Sequence, residues 1–332
     1  MLGLMTPEAK AVGHGAEFTL TAFLRAAFSR AFWRVNRSVW ACLPQGARDS
    51  RGGLAYGRWI HSQMQRRSSR EMYVWSTFLR NRPGLDLMRR LVEERPRGST
   101  LKVAVLGCSV GAEVYSILWV LRSARPDLEI GVHAVDISAE VVDVAEAGVY
   151  IPGMSEVVEE GIFERLTEQE RQDMFDWEDG RARVKGRLRE GIEWHVDDAC
   201  DAALGSRIGG HDIVVASNFL CHLDAASAES GLRNIAQLVE PGGYLFVPGV
   251  DLDVRANVAQ DLGWEPITDL LEEIHEADPA LRSHWPWNWA GLEPLDRRRS
   301  DWRTRYATAF RIDGTEDVQE RSGLRSAFSA VG

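Results

Sequence analysis

Residues Leu101 to Tyr115 read LKVAVLGCSVGAEVY, and the following run GVHAVDIS places an acid at Asp136. The first stretch predicts a buried strand from Lys102 to Leu106, a glycine turn from Gly107 to Gly111 and an amphipathic helix. The second predicts another strand that ends in a carboxylate. This order brings a nucleoside-bearing ligand to the carboxyl ends of parallel strands. There, glycines let the backbone approach the ligand and an acid can accept from ribose hydroxyls.

The glycine spacing narrows the ligand. Gly107 and Gly111 give G-x-x-x-G, so the G-x-G-x-x-G cradle of a dinucleotide pyrophosphate is missing. No Gly-Lys-Ser/Thr follows, which excludes the phosphate-loop pattern. A nucleoside cofactor without phosphates fits better. S-adenosylmethionine carries an adenosine and an amino acid, and Glu113, at the start of the helix, can meet its ammonium. The plainer alternative is an ordinary strand-to-helix turn.

The same residues carry a resemblance. GCSVGAEVYSI resembles the GCSTGEEPYSIA motif of the CheR-type chemoreceptor glutamate methyltransferases, and AVDISAEVVDVAEAGVY is similar to their ATDI segment. Upstream, Ser76-Thr77-Phe78-Leu79-Arg80-Asn81 resembles Thr-x-Phe-Phe-Arg-Asn. Downstream, ASNFLCHLDAASAESGLRNIAQLVEPGGYLFV resembles CRNVLIYFD followed by a helix and L-x-PGGYLFL. IEWHVDDACD occupies the place of V-x-F-x-x-x-N-L. The ordered blocks run from Tyr73 to Val250, about half the chain.

The resemblance implies an S-adenosylmethionine-dependent methyltransferase that releases S-adenosylhomocysteine. It implies an α/β fold: a Rossmann-like domain with a mixed, mostly parallel sheet, preceded by a small helical N-terminal domain. It also implies site residues. Arg80 takes the place of an active-site arginine, and Ser76 preserves a hydroxyl where the family has threonine. Gly107 and Glu113 match positions around the methionine part, Asp136 the ribose ligand and Ile137 the apolar residue beside adenine. Asp198 and Ala199 replace the family's Asn-Leu pair; an aspartate can accept from the adenine amino group but cannot donate as an amide can. Ser217 and Asn218 occupy the family's Arg-Asn pair. His222 stands in place of a tyrosine near the methyl-transfer centre, and an imidazole titrates near neutrality and can act as a base.

The expected domains are 1–97, helical, and 98–332, catalytic, with a short insertion at 151–190 and a Trp-rich segment at 281–312. Residues 1–15 lack periodicity and are expected to be loosely ordered. Between Phe18 and Leu43, Leu20, Phe23, Leu24, Ala27, Phe28, Ala31, Val35 and Val39 recur near helical spacing, and Pro44 ends the run. This face is expected to pack on a neighbouring helix around Leu54 to Arg66, although a basic amphipathic helix can also lie on a membrane. Further strands are expected at Glu129 to Val135, Ile192 to Val196, Asp212 to Ser217, Tyr244 to Pro248 and Thr304 to Ile312. Helices are expected at Ala112 to Ala124, Ala139 to Ala147 and Ala225 to Val239. A helical piece at Thr167 to Phe175 and a hairpin-like stretch at Trp177 to Leu188 fill the insertion. Trp285-Pro-Trp-Asn-Trp289 reads either as core cover or as a substrate-facing wall.

Charge divides the chain. Residues 1–100 hold 17 Lys and Arg against 7 Asp and Glu, within totals of 39 and 49. The basic part either docks on the acidic remainder or meets an acidic partner. Cys42, Cys108, Cys200 and Cys221 have no metal-ligand spacing, so no metal is expected, and they suggest a reducing, cytoplasmic setting. No apolar run approaches the ~20 residues of a membrane span, and no secretory leader is evident. The Asn/Asp-Pro-Pro-Tyr/Phe motif of many base-amine methyltransferases is absent, so no nucleic-acid partner is expected.

A carboxylate is already ionised near pH 7, so its methylation needs no general base, only a positioned cation such as Arg80. By the resemblance, the leading expectation is carboxyl O-methylation of a glutamate in a protein. O- or N-methylation of a small molecule is the alternative, and a non-catalytic S-adenosylmethionine-binding interaction module is the second.

Overall fold

In the computed structural model, residues 20–70, 76–153, 157–158 and 160–313 are described. Residues 1–15, Tyr73, and the side chains of Leu20, Phe23, Leu24, Ala27 and Phe28 lie outside this description, as does the tail after Asp313. The chain divides into two compact units, Met1–Ser62 and Gln63–Gly332. The expected boundary at residue 97 falls downstream of this division.

The first unit contains α1 (Leu20–Cys42), α2 (Gln45–Arg48) and most of α3 (Arg51–Arg67). Here the expected packing face is corrected. Val35 and Val39 are 61% and 45% exposed, whereas Asn36 and Trp40 are buried. The cause is polar pairing. The Tyr56 hydroxyl donates to Asn36 Oδ1 at 2.6 Å, and Asn36 Nδ2 donates to the Phe32 carbonyl at 2.8 Å. A buried amide with its donor and acceptor both engaged loses little on leaving water. On α3, Leu54 and Ile60 are buried, and Gly53 lies so close to the Ala47 carbonyl that a Cβ would stand 2.1 Å from its oxygen.

The second unit holds the sheet. Its strands are β1 (Thr100–Leu106), β2 (Glu129–Asp136), β3 (Val149–Tyr150), β4 (Phe175–Glu178), β5 (Arg181–Val184), β6 (Ile192–Val196), β7 (His211–Ala216), β8 (Val239–Phe246), β9 (Glu265–Pro266) and β10 (Ala309–Ile312). Seven form one sheet in the order β6-β2-β1-β7-β8-β10-β9, and three form a small sheet in the order β3-β5-β4. The pairs from β6 to β8 are parallel, and β10 is antiparallel to both its neighbours. This is the mixed, mostly parallel sheet expected from the sequence, and the small antiparallel sheet lies in and just before the 151–190 insertion.

Helices cover the large sheet. The first set is α4 (Arg82–Glu93), α5 (Ala112–Ala124) and α6 (Ala139–Ala147). The insertion adds α7 (Glu168–Met174) and α8 (Gly186–Arg189). Then follow α9 (Leu204–Ile208), α10 (Ala225–Ala236), α11 (Leu252–Asp261), α12 (Leu271–His275), α13 (Pro279–His284) and α14 (Trp302–Tyr306). Alternating strand residues feed two cores. Val103, Val105, Val132 and Ile213 meet α4 and α5 on one face, while Ala104, Leu106, Val135 and Val214 meet α9, α10 and α11 on the other. Among the described residues, no helix is long and apolar enough to cross a membrane.

The expected strand from Thr304 is corrected to a helical turn, α14, followed by β10. That turn carries Arg305 and Tyr306 inward. Arg305 pairs with Glu293 at 2.7 Å, both side chains being almost fully buried, and Tyr306 donates to the same carboxylate at 2.7 Å. Buried Arg255 of α11 adds donations to the carbonyls of Val247 and Arg305. An extended 304–308 would leave these groups apart. Removing one member of a buried pair strands the other charge, at a cost of about 3–5 kcal/mol. Arg305→Met is therefore expected to lower unfolding free energy by about that much, read from urea denaturation followed by circular dichroism.

Candidate functional site

At the carboxyl edge of the sheet, strand order reverses on either side of β1, and crevices at such switch points receive ligands in open α/β folds. The turn after β1 is built from left-handed residues: Gly107 (φ +67°), Ser109 (φ +49°) and Gly111 (φ +83°). At Gly107, a Cβ would stand 2.7 Å from the Phe219 ring, so a side chain is excluded by space as well as by conformation.

Two carboxylates lace the edge together. Asp136, ending β2, accepts from the Ser109 amide at 2.8 Å and from the Ser138 amide at 3.1 Å. Glu113, in the first turn of α5, accepts from the Ser217 hydroxyl just beyond β7 at 2.7 Å. That bond spans the crevice between β1 and β7. Asn218 follows in the left-handed region (φ +61°), its amide donating to the Pro248 carbonyl. Gly249 lies against it so tightly that a Cβ would meet Asn218 Oδ1 at 2.3 Å.

Arg80 reaches the same crevice from another segment. Phe78 is fully buried among Tyr150, Phe163 and Phe175, and its amide donates to the Ile162 carbonyl. Leu79 is left-handed (φ +52°), and its amide donates to Ser116 Oγ at 2.9 Å. Asn81 then caps α4 by accepting from the Gly84 amide. Fixed on both sides, Arg80 is half-buried, and burial draws its guanidinium below the ordinary arginine value against the opposing carboxylates of Glu113 and Asp278. Glu113 shows the counterpart. Burial raises its carboxyl above 4.5, opposed by the Ser217 hydrogen bond and the Arg80 charge.

His222 ends a 3₁₀ turn, Leu220–His222, and packs edge-on against Trp289 with ring centroids 5.4 Å apart. Arg70 holds this turn: its Nη1 donates to the carbonyls of Cys221 and Leu223 on either side of His222, and its Nη2 pairs with Asp251 at 2.8 Å. The Arg70 guanidinium also lies 5.9 Å from the Trp289 ring. The tryptophan cluster thus divides. Trp285 is buried as core cover, while Trp289 faces His222.

The structure brings Arg80, Glu113 and Ser217 together, with Gly107 and Asn218 shaping the backbone around them and Asp136 on the adjoining strand. Ser76 is half-buried before the Phe78 anchor. Ile137 is 62% exposed, and Val196, the residue after His195, is 56% exposed at the register partner of Asp136. Sequence reading missed Val196, whose signal was an apolar residue at a strand end. It also missed Arg70, Asp251 and Arg165. Arg165 donates to the Arg80 carbonyl and approaches Asp278 at 3.5 Å. Two expected contacts are less direct. Asp198 is exposed, with Oδ1 accepting from Cys200 within its own turn, and Ala199 is buried in the core with Val135 and Leu204.

The profile of the CheR methyltransferase SAM-binding domain matches residues 75–254. The chain belongs to the CheR methyltransferase family. Among similar proteins, a probable biofilm formation methyltransferase WspC of Pseudomonas putida is 31% identical over 44% of this chain and 33% of its own length. Chemotaxis protein methyltransferase 1 of Vibrio cholerae is 27% identical over 44% of this chain and 52% of its own. A chemotaxis protein methyltransferase of Listeria monocytogenes is 26% identical over 52% and 63%. The match therefore spans between a third and two thirds of these relatives.

The observed residues fit S-adenosylmethionine, the cofactor of the family. A desolvated carboxylate at Glu113 suits an ammonium, Asp136 retains lone pairs beyond its two amide contacts, and adjacent exposed Ile137 and Val196 offer an apolar surface for a planar base. A carboxyl whose folded value is raised favours folding while it is protonated, and that contribution is lost as pH rises through the folded value. Comparison of wild type with Glu113→Gln by urea denaturation is expected to show wild type losing relative stability as pH rises from 4.5, with the difference levelling off above the folded value.

Proposed function

We propose that this chain methylates a carboxylate, most simply a glutamate side chain presented by another protein. The observation that carries the reading is Arg80, whose flanking backbone is anchored on both sides and whose guanidinium shares the switch-point crevice with Glu113. When bound, S-adenosylmethionine supplies a methyl group on a positively charged sulfonium. Glu113 would receive the cofactor's ammonium, Asp136 its ribose hydroxyls, and Ile137 and Val196 the faces of its adenine. Asp198 would accept from the adenine amino group through its remaining oxygen, with Ala199 in the turn wall. Ser76, Gly107, Ser217 and Asn218 complete the lining.

Arg80 would hold both oxygens of the incoming carboxylate, which the planar fork of a guanidinium is shaped to do. Orientation then supplies much of the barrier reduction, since fixed geometry can contribute up to ~7–11 kcal/mol in the best intramolecular cases. The names of the relatives, chemotaxis and biofilm formation methyltransferases, support an acceptor in a protein.

A second reading rests on His222 and Trp289. An imidazole held against an indole, where the family carries tyrosine, favours a hydroxyl or amine acceptor that needs a base. Transfer of labelled methyl into fractionated host extract separates the two. Carboxyl methylation predicts label in protein that mild alkali releases as methanol, with Arg80→Ala lowering turnover by about a hundredfold or more and His222→Phe leaving the pH profile unchanged. Alkali-stable label in small molecules, together with loss of a near-neutral inflection in His222→Phe, would replace the first reading with the second.

A further inference from the structure

Below the carboxyl edge, β2 and its edge neighbour β6 place three metal-ligating side chains on one sheet face. Glu193 is the register partner of His133, and His195 lies two residues further along β6, so strand alternation puts all three on the same side. His133 Nδ1 and His195 Nε2 share a hydrogen bond of 2.9 Å, with the ring centroids 5.1 Å apart and the ring planes 22° from parallel. Glu193 Oε2 is 3.9 Å from His133 Nδ1, and donor atoms from all three residues lie within 4.8 Å of one another. Sequence spacing hides the cluster, because 62 residues separate the two histidines.

We propose that His133, Glu193 and His195 bind one zinc-class transition-metal ion, with the remaining position taken by water. Two imidazoles and one carboxylate match the borderline-soft preference of Zn²⁺ and its neighbours, whereas Ca²⁺ and Mg²⁺ take oxygen donors. Tetrahedral bonds of about 2.0–2.1 Å set ligating nitrogens about 3.3 Å apart. The observed nitrogens face each other in a hydrogen bond, so binding opens the pair by a few tenths of an ångström and turns the rings until both nitrogens aim at the ion. Glu193, 71% exposed, has the freedom to close in.

The surroundings favour a ligating state. Buried His211 of β7 packs edge-on to His133 with centroids 5.2 Å apart, which steadies the ring. A metal here would tie edge strand β6 to β2 just ahead of Val196 and Asp136, stiffening one wall of the cofactor crevice.

The test uses the untagged full chain, treated with chelator and dialysed. Zn²⁺ is titrated by calorimetry, Co²⁺ by visible absorption, and thermal unfolding is followed with and without Zn²⁺. One equivalent, a tetrahedral Co²⁺ spectrum and a raised Tm are expected. His195→Gln should abolish all three, and Glu193→Gln, at an exposed position that leaves the fold intact, should weaken binding about tenfold or more. Absence of saturable binding by wild type in excess metal, or equal affinity in wild type, His195→Gln and Glu193→Gln, would overturn the proposal.

Discussion

A carboxylate withdrawn from water is the constraint around which the carboxyl edge is organised. Glu113 sits in the first turn of α5, where it has lost hydration, and two groups from distant parts of the chain offset that loss. Ser217 donates a hydrogen bond from beyond β7, and Arg80 supplies positive charge from the segment before α4. The helix start also favours negative charge there, yet burial remains the larger influence and holds the carboxyl above its ordinary value. The relation is reciprocal. Arg80 is itself half-buried, and the charges of Glu113 and Asp278 oppose the effect of burial on its guanidinium.

That mutual dependence explains the rigidity built around Arg80. A long side chain has many rotamers, so placing its charge reproducibly requires that the backbone on either side be fixed. Three independent devices do this: the aromatic cluster that encloses Phe78, the left-handed turn at Leu79 tied to Ser116, and the Asn81 cap of α4. Arg165 adds a donor to the Arg80 carbonyl from the insertion. The insertion thus contributes to the site through the backbone of another segment.

Much of the catalytic unit was legible because its information is local. The alternation of apolar residues in β1 and β2, the glycines between β1 and α5 and the acid ending β2 lie within a few dozen residues, and α5 and α6 run between the expected ends. What escaped was set by long-range pairing. Arg70 meets Cys221 and Leu223 across some 150 positions, and no local pattern announces that a basic residue will bind two carbonyls. At α1, periodicity favoured Val35 and Val39, yet a tyrosine twenty residues away buries Asn36. At 304–308 a strand was expected, while the buried Arg305–Glu293 pair selects a helical turn. In each case a satisfied polar group decided what local pattern could not.

The position of β10 has a consequence for the order in which the fold can be completed. It comes last of the described strands but lies inside the sheet, between β8 and β9. Until Ala309 to Ile312 arrive, β8 has an open edge and β9, two residues long, has no partner in this sheet. Between the synthesis of Phe246 and that of Ala309, a chain emerging from its amino terminus therefore carries a strand with an open edge, a template to which other chains can pair. The parallel half of the sheet can form early; the antiparallel half closes only when nearly all the described chain is present.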